Sequence, residues 1–193
     1  MIETFTAFEG PRRIAGGALA DVALALKRLR RPICEPISIF SDATGLAVDL
    51  DLHGSERDVL ARLAADPVPR GGPQQAAPRG RGRPKLGVVA REVTLLPRHW
   101  EWLKAQPGGA SVALRKLVEE AKRANAGKDR LRQSQEAAYR FMSAMAGNLP
   151  NFEEASRALF ALDRRRFVAQ IAGWPADIRD HVVKLASGDL AAN

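Results

Sequence analysis

The sequence predicts an α+β protein made of four successive parts. Three observations predict this fold class: the first 65 residues alternate strand patterns with amphipathic helix patterns, residues 66–87 are rich in proline, glycine and arginine, and the remainder contains one short strand pattern followed by helices. Of the 193 residues, 46% are hydrophobic and 27% are charged. Since a domain has roughly 100–200 residues, we expect one globular domain or two small ones joined by a linker.

The first part, residues 1–65, predicts a small unit with the element order β-β-α-β-β-α. Four segments have the alternation or the apolar content of strands: 3–8, 12–16, 36–40 and 46–52. Ala18–Leu29 places its apolar residues on one helical face. Ser55 and Asp58 have the spacing of a capping box, which opens a second helix that ends at Ala64. A unit of this size buries a marginal core, which favours packing on the rest of the chain.

The second part, residues 66–87, predicts a flexible basic linker, because it contains no aromatic residue and too little apolar surface to offset the entropy of ordering it. Residues 66–132 hold 15 basic and 6 acidic residues, a net charge of +9, whereas the whole chain carries +8. Such a local excess is typical of proteins that bind a polyanion. A solvated basic surface without a partner is the alternative.

The third part, residues 88–125, predicts a strand and two helices. These elements are a strand over Val88–Leu96, a helix over Pro97–Gln106 and a helix over Ser111–Asn125. Proline suits the first turn of a helix, and Pro107-Gly108-Gly109 ends the first one. Trp100 and Trp102 cannot share one helical face, so we expect one to be buried and the other to be partly exposed.

The fourth part, residues 128–188, predicts an all-helical region. Its predicted helices span Phe152–Leu162, Arg164–Ala172 and Pro175–Ala186, preceded by an apolar stripe of Phe141, Met142 and Met145. Asn151 with Glu154 has the spacing of a capping box, and Asp163 is placed to cap the helix that follows it.

The linker contains Arg81-Gly82-Arg83-Pro84, which resembles the core of an AT-hook. Glycine lets the backbone lie close to the floor of a narrow groove, and proline keeps the chain extended. Two arginines then point along the minor groove of A·T-rich DNA. This resemblance implies that the DNA-binding residues are Arg79, Arg81, Arg83 and Lys85. A Pro/Gly-rich spacer that contacts nothing specific is the alternative.

Residues 88–125 resemble the ribbon-helix-helix superfamily of DNA-binding proteins. The resemblance rests on the strand Arg91–Leu96, the Pro97 helix start, the glycine turn and the helix that begins at Ser111. It implies a homodimer whose two strands pair in the major groove, with the N-terminus of the second helix at a phosphate. Arg91, Thr94 and Ser111 are the DNA-contact candidates that it adds.

Two registers of the predicted ribbon stay open. In one register Val93 and Leu95 face the dimer core, and the acidic Glu92 faces the groove beside Thr94. A shift by one residue exchanges the two faces, which turns Arg91 outward and buries Glu92. A strand that belongs to a mixed sheet is a third interpretation.

Catalytic, metal-binding and membrane functions have no motif in the sequence. The three histidines lack metal-ligand spacing, and the single cysteine, Cys34, excludes an internal disulfide. We therefore expect no enzyme activity, no cofactor and no metal. No run approaches the about 20 apolar residues of a membrane span, and the N-terminus lacks a signal pattern, so a cytoplasmic location is expected.

Phrases spread over nearly the full chain resemble an uncharacterised bacterial family, catalogued as a domain of unknown function. They include Phe40-Ser41-Asp42-Ala43-Thr44-Gly45, Ala138-Tyr139-Arg140-Phe141-Met142 and Gly173-Trp174-Pro175-Ala176-Asp177. The resemblance implies that the parts belong together in one bacterial protein and supplies no activity. The sequence thus favours a dimeric DNA-binding regulator or chromosome-associated factor. The alternative is an antitoxin-like adaptor that binds a protein and has no direct DNA role.

Overall fold

The chain forms a mixed α+β structure that is mostly helical, in agreement with the predicted fold class. In this computed structural model, the described residues are 3–29, 34–65, 89 and 91–187. The chain divides into two compact units. The larger unit contains Met1–Val68 and Gly127–Asn193, and the smaller unit contains Pro69–Ala126.

The larger unit contains a three-stranded antiparallel sheet in the order β2-β1-β3. Its strands are β1 (Phe5–Glu9), β2 (Arg12–Gly17) and β3 (Ile37–Ser41). All five residues of β1 are buried, because the central strand is covered on both faces. Strand side chains alternate between faces, so Phe5 and Ala7 join one hydrophobic cluster while Phe8 joins the other.

The helix α1 (Leu19–Lys27) covers one face of this sheet with Val22 and Leu26. The next helix, α2 (Glu56–Ala65), begins with the predicted capping box. The Asp58 backbone N–H donates to Ser55 Oγ at 3.2 Å, and the Ser55 backbone N–H donates to Asp58 Oδ2 at 2.7 Å. This reciprocal pair satisfies two amide groups that the first helical turn leaves without partners.

The predicted fourth strand over 46–52 is wrong. Only Ala47 forms a bridge, to Phe40, and the segment beyond it is not a strand. The Leu46 carbonyl and the Val48 N–H still bond to backbone groups of β3, at 3.0 and 2.8 Å. At the end of the segment side chains take over: the His53 N–H donates to Asp51 Oδ1 at 2.9 Å, and Arg62 donates to the Asp51 carbonyl at 2.9 Å. Aspartate competes with strand pairing in this way because its short side chain reaches nearby backbone groups.

Two helices follow residue 96, namely α3 (Pro97–Lys104) and α4 (Gly109–Ala146). The prediction that the second helix ends at Asn125 is wrong, since α4 has 38 residues. Gly127 lies inside it, and a single glycine costs a helix only about 1 kcal/mol. The predicted strand over 88–96 is also absent from its described part: residues 91–96 form neither strand nor helix.

Three further helices complete the larger unit: α5 (Phe152–Phe160), α6 (Arg164–Ile171) and α7 (Ala176–Ala186). Asp163 caps α6 as predicted, since its side chain accepts from the Arg166 backbone N–H at 2.9 Å. The predicted capping box of Asn151 with Glu154 is wrong. Asn151 is left-handed, with φ at 64°, and makes no cap bond, while Glu154 pairs with Arg166.

The main core lies between the second face of the sheet and the helices α5–α7 with the C-terminal half of α4. Phe141 and Met142, from the predicted apolar stripe, are fully buried there. The rings of Phe40 and Phe141 pack edge to face with centroids 4.9 Å apart. Thus the N-terminal sheet does pack on the rest of the chain, and both parts share one core.

Candidate nucleic-acid interface

The predicted DNA-contact residues fall into two groups. Arg79, Arg81, Arg83 and Lys85 lie outside the described residues. Arg91, Thr94 and Ser111 are described and exposed to solvent. The structure therefore locates three of the seven candidates, all of them in the smaller unit.

The segment that precedes α3 is open to solvent along its length. Of residues 91–96, all are exposed except Leu95, which is half-buried. Val93 is 53% exposed, and Leu96 adopts an extended backbone as the N-cap of α3. Since neither side of the segment is covered, the surroundings do not favour one ribbon register over the other.

The N-terminus of α4 is accessible and carries no acidic residue in its first turn. The turn before it uses left-handed glycines, with φ at 85° for Gly108 and 75° for Gly109. The space beside Gly109 is empty, since a Cβ placed there would meet no atom within 4 Å. Ser111 is exposed in this first turn. Free N–H groups and the helix dipole make such an end attractive to a phosphate.

The smaller unit exposes several large apolar side chains among its charged ones. Among its described residues, the buried hydrophobic side chains are Leu103 and Ala113. Large apolar side chains that stay exposed are Val89, Val93, Leu96, Trp102, Leu117 and Val118. Trp102 is 53% exposed and Trp100 is half-buried, so the two tryptophans differ in burial. Exposed apolar side chains that form one contiguous patch are typical of a binding interface.

The charges on the first half of α4 are mixed. Its basic residues Arg115, Lys116, Lys122 and Arg123 are exposed, and so are Glu119 and Glu120. The Arg115 guanidinium Nε donates to the Ser111 carbonyl at 3.0 Å, which keeps one positive charge beside the helix start. The first half of α4 therefore adds a net charge of +2, and the linker over 66–87 adds +4.

A second polar cluster, which the sequence did not reveal, joins β3 to α7 in the larger unit. The carboxylate of Asp42 accepts hydrogen bonds from Lys184 Nζ at 2.7 Å, Thr4 Oγ1 at 2.7 Å and Thr6 Oγ1 at 2.8 Å. Burial opposes ionisation of Asp42, but these hydrogen bonds together outweigh it and lower the pKa of the carboxyl group.

His181 lies beside Asp42 in the core. Its Nε2 is 3.5 Å from Asp42 Oδ1 and makes no hydrogen bond to a described residue. The ring packs against Phe141 with centroids 4.6 Å apart. Burial lowers the pKa of His181 to about 4, and the nearby Asp42 only partly counteracts this. The imidazole is therefore neutral near pH 7 and serves packing.

Metal-ligand geometry is missing from the part of the chain that the structure describes. No group of three or more His, Cys, Asp or Glu side chains there is arranged to hold a metal ion. Cys34 is exposed at the surface. None of the described helices combines the length and the apolar composition that a bilayer crossing requires.

The chain has the sequence of one bacterial family along almost its whole length. Residues 4–186 match a family described as an uncharacterized protein conserved in bacteria (DUF2239), and the chain belongs to that family. This agrees with the resemblance seen in the sequence. No curated protein and no solved structure matches the chain.

Proposed function

We propose that this protein is a homodimeric DNA-binding protein, a regulator or chromosome-associated factor without catalytic activity. The observation that carries the proposal is the character of the smaller unit. It leaves six large apolar side chains exposed, and it lies in the stretch that holds the basic excess of the chain. Apolar surface favours a protein partner, and concentrated positive charge favours a polyanion.

A second copy is the proposed partner of the apolar surface. Residues 91–96 make no strand in the single chain, and in a ribbon-helix-helix dimer the pairing strand comes from the other subunit. Pairing of two such segments would form the missing ladder. In the register that turns Thr94 to the groove, it would also remove Val93 and Leu95 from water, together with Leu117 and Val118 of α4.

DNA is the proposed partner of the basic residues. Thr94 would lie on the groove side of the paired ribbon and meet the major groove, with Arg91 near the end of the ribbon. The open N-terminus of α4, with the exposed Ser111, offers a place for a phosphate. Arg79, Arg81, Arg83 and Lys85 of the linker would contact the minor groove and flanking phosphates.

Fluorescence anisotropy with an A·T-rich and a G·C-rich duplex, each over a salt series, tests the DNA-binding role. We expect tighter binding to the A·T-rich duplex and a steep salt dependence, with a log–log slope of about −0.9 for each neutralised phosphate. The double substitution Arg81→Ala with Arg83→Ala removes two cations. It should reduce the slope by about one to two and abolish the A·T preference.

A matched control removes the same charge elsewhere. Arg57 and Arg165 are exposed residues of the larger unit, and their double substitution to alanine should leave the slope nearly unchanged. An identical slope for the wild type and the Arg81/Arg83 double variant would remove the linker from the proposed site. Absence of binding to either duplex at low salt would contradict the DNA-binding function itself.

The exposed Trp102 favours a second candidate function, an antitoxin-like adaptor that binds another protein. Tryptophan is enriched in protein interfaces, where its ring supplies a large contact area. In this function the basic linker would meet an acidic protein. Retention of one stoichiometric protein after nuclease treatment, lost with Trp102→Ala, combined with no duplex binding, would favour the adaptor.

A further inference from the structure

The larger unit carries an apolar groove of about 220 Å³ between α4, α5, α6 and α7. Most of its lining is aliphatic or aromatic, and Arg164 is its charged residue. Gln135 also lines it, but its amide already donates to the Leu159 carbonyl at 2.8 Å. Sites for drug-sized ligands start at about 300 Å³. The groove is therefore better matched to one or two aliphatic side chains than to a cofactor.

Leu162 lines this groove and has a backbone conformation that is unfavourable for leucine. It follows α5 with φ at 59° and is 59% exposed. The Asp163 N–H donates to the Ala158 carbonyl at 3.0 Å, which is the Schellman ending of a helix. Glycine normally occupies the left-handed position of that motif, because a side chain there is sterically disfavoured. Neither backbone conformation nor burial explains a leucine at this place.

Arg164 is unfavourable for the fold in a second way. It is the first residue of α6, where a positive charge opposes the helix dipole. The unfavourable charge of Arg166, two residues further on, is offset by an ion pair with Glu154 at 2.6 Å. Within the described residues, the Arg164 guanidinium has no hydrogen bond and no ion pair. Its charge is thus available to a carboxylate from outside.

We propose that this groove binds a segment of a partner protein that presents an aliphatic side chain next to a carboxylate. The exposed faces of Leu131, Leu162 and Val168, which all line the groove, contact the aliphatic side chain. Arg164 pairs with the carboxylate. Helical walls that receive the apolar side of a short segment are a recurring mode of peptide recognition. The site lies wholly in the larger unit and does not depend on DNA binding.

Selection of a displayed library of random peptides on the full-length protein tests the proposal. We expect enrichment of sequences with leucine, isoleucine or valine adjacent to aspartate or glutamate. The selected peptides should bind Leu162→Gly about tenfold more weakly. The melting temperature of this variant should be equal or higher, since glycine suits the left-handed backbone. Loss of binding without loss of stability separates a binding role from a structural one.

The charge of Arg164 has its own matched pair of variants. Arg164→Gln should weaken the selected peptides and remove the preference for an acidic residue. Arg165→Gln removes the same charge from an exposed neighbour that does not line the groove. This variant should keep both the affinity for the selected peptides and the preference for an acidic residue.

Four outcomes of the peptide selection would overturn the proposal, and a fifth outcome, in the solution mass, would do so too. The four are failure to enrich any peptide, a consensus without an acid, unchanged binding to Leu162→Gly, and enrichment only after residues 188–193 are removed. The last would assign the groove to the chain's own end, which follows directly on Ser187 at the groove wall. A Leu162→Gly variant that halves the mass in solution would assign the groove to a second copy, and would also overturn it.

Discussion

The two halves of α4 have similar amphipathic sequences but different surroundings. In the half that belongs to the larger unit, Ala138, Phe141 and Met142 are buried. In the half that belongs to the smaller unit, Leu117 and Val118 are exposed, at 43% and 61%. An amphipathic pattern predicts that a helical face is covered, but not by what. The first face is covered by elements of the same chain, and the proposed dimer would cover the second.

The largest effect that tests this comparison comes from truncating one apolar residue in each half. Phe141→Ala should lower the free energy of unfolding by about 3–5 kcal/mol, because it leaves a cavity in the core. Leu117→Ala should change it by no more than about 0.5 kcal/mol at protein concentrations too low for association. Urea denaturation of the full-length protein measures both. Equal losses would contradict the difference between the two halves.

Acidification should destabilise the larger unit, because the buried His181 lies in its core. The pKa of His181 is lowered to about 4 from an ordinary 6.5, chiefly by burial. The unfolded chain therefore binds this proton first. Neutral His181 therefore contributes its full share of the free energy of unfolding above pH 6.5. This share, up to about 3 kcal/mol, is lost as the pH falls toward 4. Urea midpoints measured between pH 7 and pH 4 should show this loss.

Two histidine variants isolate the origin of that pH dependence. His181→Gln should flatten it, while His53→Gln should not, since the side chain of His53 is 98% exposed. The pKa of Asp42 is lowered from its ordinary 3.8. Its contribution is therefore lost at lower pH than that of His181. If the urea midpoint of His181→Gln changed with pH as steeply as that of the wild type, another group would be responsible for the pH dependence.

A smaller effect is expected where the turn after β3 meets α4. Gly45 has φ at 67°, and a Cβ there would lie 2.0 Å from the Ala137 carbonyl oxygen. Gly45→Ala should therefore cost about 1–3 kcal/mol through strain and displaced backbone. Gly127→Ala is the matched control within α4, because its Cβ meets no atom within 4 Å. It should stabilise the helix by up to about 1 kcal/mol; destabilisation by both would point to a general intolerance of alanine.

Local signals predicted two helix starts that depend on residues within one turn, although the signal of Asn151 with Glu154 failed. The Ser55–Asp58 capping box and the Asp163 cap are both present, because their geometry needs no distant partner. Features set by distant residues were not predictable. Lys184 and Asp42 are 142 positions apart, and nothing in either segment indicates that they meet. The strand predicted over 46–52 ends early for a related reason, since the side chains of Asp51 and Arg62 engage backbone groups at its end.

The candidate interface was predictable only as a pattern. The sequence indicated a strand–helix–helix order with an open helix start, and Ser111 is indeed exposed in the first turn of α4. Strand pairing over 91–96 was not predictable, because a ladder needs a second strand whose origin the sequence of one chain does not state. The same limit applies to the groove at Leu162, whose positive φ and exposure depend on how α5 ends.

The mass of the protein in solution tests the central claim most directly, namely that a second copy covers the smaller unit. Sedimentation equilibrium should give about twice the chain mass of 21.0 kDa for the wild type. The double substitution Leu117→Glu with Val118→Glu should return it to 21.0 kDa. Leu46→Glu, at an equally exposed site of the larger unit, should leave the dimer intact. A wild type that stays at the single-chain mass at every concentration would contradict the account.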